Sequence, residues 1–315
     1  MPVIIFGSLN MDLVTRTPCL PIAGETLVGY DFTTVPGGKG ANQAVAIARL
    51  GVAAQMVGRV GGDSFGQELL LSLQAAGVQT DGVFVDAASH SGVAAIAVDE
   101  AGENHIIVVA GANGQVNQTD LSCLNQHLSH ANALLLQLEI PLSAVQQAAQ
   151  MASLAGVTVI LDPAPARSDL PDDFYPLIDI ITPNQIEAGQ LVGFTVNSPE
   201  TAAKAAAVLR QRGVKTVIVK LGQQGALCVN ADATWHIPAF PVQAVDTVAA
   251  GDAFNGGLAA ALAKGLPLRQ AVIWGSAAGA LAVTKAGAQP AMPDLEMLMD
   301  FMAGVTDFGT DVADG

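Results

Sequence analysis

The chain has 315 residues, 51% of them apolar and only 13% charged, enough to build one large α/β domain with an appendage or two modest domains. With 13 Lys and Arg against 28 Asp and Glu, its formal charge of −15 excludes a nucleic-acid binder, which needs a field of basic side chains. An anionic substrate must therefore be held by local groups: helix starts, a few lysines and a metal ion.

Met1-Pro2 leads into an apolar run with no basic segment, so no signal peptide is expected, and Val3 to Gly7 reads as a first buried strand. From Met11 to Val35, Thr15, Thr17, Pro18, Pro21, Gly24 and Gly29 punctuate short alternating segments. Lys39 to Leu50 follows as a helix with Ala41, Ala44, Val45 and Ala48 on one face. Ala54 to Val60 is a strand, and Asp63-Ser64 starts a helix reaching Ala76. Val83 to Val109 again breaks into short β segments. The two β-rich insertions, 13–35 and 92–112, are expected to form one small sheet projecting from a body of residues 1–12, 36–91 and 113–304. Beyond Gly114, strands at Ala133 to Leu138, Val157 to Asp162, Ile178 to Thr182 and Thr216 to Leu221 alternate with helices at 142–155, 184–192 and 200–212. That alternation predicts a mostly parallel sheet. Short strands at 226–230 and 233–237 precede the glycine-containing helix that follows Val245, and the polar, acidic residues 305–315 read as a disordered tail. The apolar run Val272 to Val283 is too short to span a bilayer. Cys19, Cys123 and Cys228 are odd in number and unpatterned, so the expectation is a cytoplasmic protein that engages no membrane.

The most informative stretch is Val245 to Leu262. Asp246-Thr247 closes a polar turn, and Ala249-Ala250-Gly251 are small enough for a ligand to approach their backbone. Asp252 stands where a helix begins, with Phe254, Leu258 and Leu262 on its apolar face. Helix starts offer unpaired N–H groups to phosphate. Asp252 is either a helix cap or a functional carboxylate. Gly256 and Gly257 in the same helix each cost about 1 kcal/mol relative to Ala, which implies close packing or close ligand approach. The run Gly37-Gly38-Lys39-Gly40-Ala41-Asn42-Gln43 is not a Walker A loop, because Thr33 replaces its first Gly and Gly40 its Ser/Thr. It still places Lys39 and Asn42 on the first turn of a helix. Open parallel sheets bind ligands at the carboxyl ends of their strands, where Asn10, Asp12, Gln137, Glu139, Asp162, Asn184 and Glu187 fall. Asn184 and Glu187 have the spacing of a capping box. His127 and His130 are three apart on a helix, lack a third ligand and read as surface histidines.

Together these segments resemble the ribokinase (pfkB-type) family of carbohydrate kinases, from Gly7-Ser8-Leu9-Asn10-Met11-Asp12 to Gly287-Ala288-Gln289-Pro290. Two motifs carry it best, Gly-Gly-Lys-Gly-Ala-Asn-Gln at 37–43 and Asp-Thr-Val-Ala-Ala-Gly-Asp at 246–252. The family's Asn-Pro-Ala-Pro-Ala-Arg is here Asp162-Pro163-Ala164-Pro165-Ala166-Arg167, and Pro-Gly-Glu-Thr becomes Ala23-Gly24-Glu25-Thr26, with Pro at 21. The resemblance implies a three-layer α/β/α body with a mostly parallel sheet, a small β-sheet lid formed by the two insertions, and a homodimer built through the lid. It implies ATP-dependent phosphorylation of D-ribose at the 5-hydroxyl, with Mg2+. Asp252 matches the catalytic base, and the backbone of Ala249, Ala250 and Gly251 the anion hole. Asn10, Met11, Asp12, Gly38, Lys39, Gly40, Ala41, Asn42, Glu139 and Asp252 match sugar-binding positions. Asn184, Glu187, Lys220, Leu221, Gly222, Gln223, Gln224, Gly225, Gly251, Asp252 and Ser276 match nucleotide-binding positions, Glu187 lying in the motif tied to magnesium and phosphate. Asp246 and the carbonyls of Val248, Ala282, Lys285 and Gly287 match a K+ site, where Ala291 stands in place of the family's frequent Ser. The alternatives are another sugar or nucleoside kinase of the same fold, such as one for deoxyribose or fructose, and a non-catalytic sugar sensor. A sensor has no need of Asp252.

Overall fold

The computed structural model describes residues 1–304; the expected tail at 305–315 lies outside them. In chain order the elements are β1 (Val3–Phe6), β2 (Asn10–Arg16), β3 (Asp31–Gly37), α1 (Lys39–Arg49), β4 (Ala54–Gly61), α2 (Ser64–Ala75), β5 (Gln79–Asp86), β6 (Gly92–Val98) and β7 (Asn104–Val109). There follow α3 (Gln118–Leu128), β8 (Ala133–Leu136), α4 (Leu142–Leu154), β9 (Thr158–Leu161), β10 (Ile180–Ile181), α5 (Gln185–Val192), α6 (Pro199–Gln211) and β11 (Thr216–Lys220). The last are β12 (Ala226–Val229), β13 (Thr234–Ile237), α7 (Ala250–Ala263), α8 (Leu268–Ala282) and α9 (Leu295–Ala303).

Nine strands form one sheet in the order β13-β12-β11-β10-β9-β8-β1-β4-β5, parallel except for β12 and β13 at one edge. Alternate residues along each strand enter different cores, as the period of two dictates. Val3, Ile5, Leu135 and Ile218 pack with α1, α7 and α8. Ile4, Phe6, Leu134 and Val217 pack with α3 to α6 on the opposite face. The result is the three-layer α/β/α body that the resemblance implied, around the mostly parallel sheet that the strand–helix alternation predicted. No helix among the described residues is long and apolar enough to cross a membrane.

A second sheet of four strands runs β3-β2-β6-β7. Both β-rich insertions supply it, but its strands reach further than the insertions. β2 starts at Asn10 and β3 ends at Gly37, pairing Asn10 with Gly37 and Asp12 with Val35. Asn10, Met11 and Asp12 therefore sit on the small sheet rather than the body. Residues 83–86, in contrast, belong to β5 at the edge of the large sheet. The strand expected at 178–182 shrinks to two residues, as Pro183 close behind cannot donate to a ladder. His130 lies beyond the end of α3, so the two histidines do not share a helix face.

Candidate active site

The polar residues gather where the parallel strands end. Ser8 follows β1, Gln137 and Glu139 follow β8, Asp162 follows β9, Asn184 follows β10 and Lys220 closes β11. A cleft of about 820 Å³ runs along these ends, with Lys39, Asp162, Glu187, Lys220, Gly251 and Asp252 in its walls.

Asp252 is the third residue of α7, not its cap. The N-cap position is held by Ala249, in a left-handed conformation at φ 59° and without a side-chain bond to the helix. The Asp252 carboxylate turns inward, 5% exposed, and accepts from Asn42 Nδ2 at 2.9 Å and Gln43 Nε2 at 3.0 Å. Burial raises its pKa; Lys39 opposes this, Asp162 adds to it, and the two amide donors favour the ionised form. Among the described residues the N–H groups of Gly251 and Asp252 have no backbone acceptor, as the open first turn of a helix requires. The two glycines further along serve helix packing. A Cβ on Gly256 would stand 2.4 Å from Ala46 Cβ in α1, and one on Gly257 2.9 Å from the Trp274 carbonyl in α8.

Gln43 ties the site together. Its single amide nitrogen donates to Asp252 and, at 2.9 Å, to Asp162 Oδ2, while its oxygen accepts from Gln137 Nε2 at 2.6 Å. Asp162 takes a second partner, Lys220 Nζ, at 3.0 Å.

On the other side of Asp252 lies a cluster of Asn10, Asp12, Lys39, Asn42 and Glu139. Glu139 Oε2 accepts from Ser8 Oγ, from Asn10 Nδ2 at 3.4 Å and from the Lys39 backbone N–H at 3.3 Å. Asn113 Nδ2 donates to Asn10 Oδ1 at 2.7 Å, which leaves the Asn10 amide nitrogen one hydrogen beyond its bond to Glu139. The Asp12 pKa rises to about 7, chiefly through burial and then through Glu139 and Asp252, with Lys39 opposing. For Lys39, burial works against the charged form, but Asp252, Asp162, Glu139 and Glu187 outweigh it and hold the ammonium above its ordinary pKa. The glycines before α1 give room for this crowding. Gly38 adopts φ 88°, and a Cβ there would meet the Asn10 backbone nitrogen at 2.6 Å. Besides Gly38, three expected sugar contacts have no side chain in the cluster. Met11 and Ala41 are buried in the core, and Gly40 lies flat against Ser8.

Towards the other end of the cleft, Asn184 and Glu187 do form a capping box, with both Glu187 oxygens accepting from Asn184, its backbone N–H at 2.8 Å and Nδ2 at 2.9 Å. Burial raises the Glu187 pKa against the pull of Lys220. Of the turn after β11, Lys220, Gly222, Gln223 and Gly225 line the cleft. Leu221 and Gln224 do not: Leu221 packs into the core beneath, and Gln224 bonds through Nε2 to the Asn197 carbonyl at 3.2 Å. Ser276 lines the cleft with a buried hydroxyl that has no hydrogen-bond partner among the described residues.

Beyond α7, Asp246 joins two loops, accepting from Val248 N at 2.9 Å and Gly287 N at 3.0 Å. Lys285 N donates to the Ala282 carbonyl at 3.3 Å. Ala291 is 1% exposed and carries only a methyl group. No cluster of three or more His, Cys, Asp or Glu stands ready for a metal among the described residues.

Sequence reasoning had noted Gln137 and Asp162 at strand ends but gave them no place in the site, and it missed the roles of Ser8, Gln43 and Asn113. Gln43 adjoins Asn42 in the same motif, so its place beside a site residue was the available signal. Asn113 offered none: it reaches Leu9 and Asn10 from more than 100 positions away.

The pfkB family carbohydrate kinase profile matches residues 2–295. The chain is 40% identical over 298 residues to a ribokinase of Haemophilus influenzae, covering 95% of this chain and 97% of that one. It is 34% identical over 303 residues to a deoxyribokinase of Salmonella typhi, covering 96% and 99%. Among solved structures, Arabidopsis thaliana ribokinase complexed with ribose and ATP superposes with a TM-score of 0.88 at 33% identity, covering 96% and 98%. With its fold, its cleft and a match running from the first strand to the last helix, the chain belongs to the pfkB family of carbohydrate kinases.

Proposed function

We propose that this protein transfers the γ-phosphoryl group of ATP to the 5-hydroxyl of D-ribose, giving ADP and D-ribose 5-phosphate. As a pfkB-family member it is a phosphotransferase with an alcohol group as acceptor. The observation that carries the reading is the Asp252 carboxylate, fixed by Asn42 and Gln43 between a polar cluster and an open helix start. Asp252 accepts the hydroxyl proton as the sugar oxygen attacks, and its raised pKa favours that uptake. Gly251 and Asp252 N–H groups stabilise charge on the phosphoryl oxygens, in a transfer that depends on alignment and electrostatics. Asn10, Asp12, Lys39, Asn42 and Glu139 hold the sugar hydroxyls, and Asn10, with one amide hydrogen beyond its bond to Glu139, is suited to a 2-hydroxyl. Asn184, Glu187, Ser276 and the turn after β11 hold the nucleotide.

Mg2+ keeps most of its waters and takes few protein carboxylates. Glu187 and Asp162, both in the cleft wall, are the residues that would hold its hydration shell; the ion would neutralise phosphate charge. Asp246 with the carbonyls of Val248, Ala282, Lys285 and Gly287 would hold K+ beside the anion hole. The four-stranded sheet acts as a lid that excludes water, and its exposed apolar strand joins a second copy. The free cysteines Cys19, Cys123 and Cys228 suit the cytoplasm.

The test is ATP turnover with ribose, 2-deoxyribose, fructose and adenosine, each in K+ and in Na+. Ribose-dependent turnover is expected, and a preference for any other acceptor overturns the substrate. Asp252→Asn is expected to lower kcat by about 10²-fold or more with sugar binding retained. Near-normal turnover in that variant removes Asp252 from the base role.

A further inference from the structure

We propose that the Lys220 ammonium is a catalytic cation for the transferring phosphoryl group, held over the start of α7 by Asp162. This rests on the kinase reading above and gives the side chain a role beyond its place in the turn after β11. Lys220 Nζ lies 3.0 Å from Asp162 Oδ1, and the Asp162 side chain is almost wholly enclosed. The same Nζ is 3.3 Å from where a Cβ on Gly251 would stand. Its charge therefore sits at the helix start whose N–H groups at 251 and 252 have no backbone acceptors. An ammonium carries three N–H bonds. One is spent on Asp162, and among the described residues no other acceptor is bonded to it. The rest are free for a ligand in the cleft.

The cations lining the cleft are Lys39 and Lys220. Lys39 adjoins the sugar-side cluster among four carboxylates. Lys220 is the one at the phosphate end. Asp162 is also this chain's departure from the Asn of the resembling motif. A second carboxylate so near Asp252 is costly unless a cation faces it, and Lys220 does. Gln43 completes the bridge by holding Asp162 and Asp252 through one nitrogen. During transfer the acceptor oxygen–phosphorus bond forms and the bond to the bridging oxygen of ADP breaks, its electron pair leaving with ADP. The hydroxyl proton passes to Asp252, and Lys220 keeps its own proton, acting as a fixed charge beside the equatorial oxygens.

The experiment compares wild type, Lys220→Met and Lys220→Cys for kcat and sugar KM with ribose and ATP, the last before and after alkylation by 2-bromoethylamine or iodoacetamide. Expected are a fall of about 10²-fold in kcat for Lys220→Met with sugar KM within about threefold. The aminoethylated Cys variant, whose side chain restores the ammonium, should recover at least about tenfold, and the neutral adduct should not. Alkylated wild type controls for the native cysteines. If Lys220→Met does not fold because Asp162 is left uncompensated, the double variant Lys220→Met with Asp162→Asn removes both charges and is expected to fold with the same low kcat. A kcat within about threefold of wild type in either variant, or equal recovery by both adducts, overturns the proposal while wild-type ribose turnover leaves the kinase reading standing. Absence of acceptor-dependent turnover in wild type overturns both.

Discussion

Asp12 is a carboxyl whose folded-state pKa of about 7 exceeds its ordinary value of 3.8. Between those values the folded protein holds a proton that the unfolded chain has lost, so stability falls as pH rises from about 4 through 7. Asp12→Asn is accordingly expected to raise the melting temperature more at pH 8 than at pH 5, and equal shifts at both would contradict this environment. Gln43→Met removes a donor that favours ionised Asp252, which Lys39, Asp162 and Asp12 also face. Its acidic limb in kcat against pH should move upward, whereas a merely structural loss would leave the limb in place. For the K+ site proposed above, Ala291→Ser supplies the side-chain oxygen that the resembling family frequently carries at this position. Its half-activating K+ concentration, measured by titration of turnover, should fall. At this scale the sequence was readable where chemistry and motif coincide, as at Lys39, Asn42 and Asp252. It was silent where a residue acts across the fold, as Asn113 does on Leu9 and Asn10.

Helix α7 shows how an element can be legible in kind and not in purpose. Its apolar spacing and its start near Asp252 could be read from residue order, but the reason for Gly256 and Gly257 could not, because Ala46 and Trp274 come from other helices. A methyl group at 257 would press on a backbone carbonyl that cannot swing away. Gly257→Ala is expected to destabilise by about 1–3 kcal/mol, read as a lowered urea midpoint at unchanged slope; unchanged stability would show that α8 can shift. The strands were found by their β-branched runs. Their ends were not: β10 is cut to two residues by the proline behind it, and β2 extends into the site because its partner strand continues to Gly37. The capping box at Asn184 and Glu187 was legible because both halves of the motif are local.

Across the whole molecule, strand β7 lies at the open edge of the small sheet with Ile106, Ile107, Val108 and Val109 all exposed. A bare apolar edge of this kind invites pairing with another chain. On the dimer proposed above, wild type is expected to sediment as a dimer and Ile107→Asp as a monomer; a monomeric wild type removes the proposed dimer, and a variant that stays dimeric places the interface elsewhere. The alternation of strands and helices made the large sheet foreseeable, while the place of residues 10–12 on the small sheet depended on pairing that no local pattern encodes. The bond between Asn42 and Asp252 spans 210 positions, and the one between Lys220 and Asp162 spans 58. Contacts so distant along the chain close late, after local helices have formed. Activity should then be the last signal to return when the denatured enzyme is diluted into buffer, trailing helical circular dichroism. Recovered turnover would thus serve as a clock for completion of the entire chain, and no fragment ending before residue 252 should ever start it.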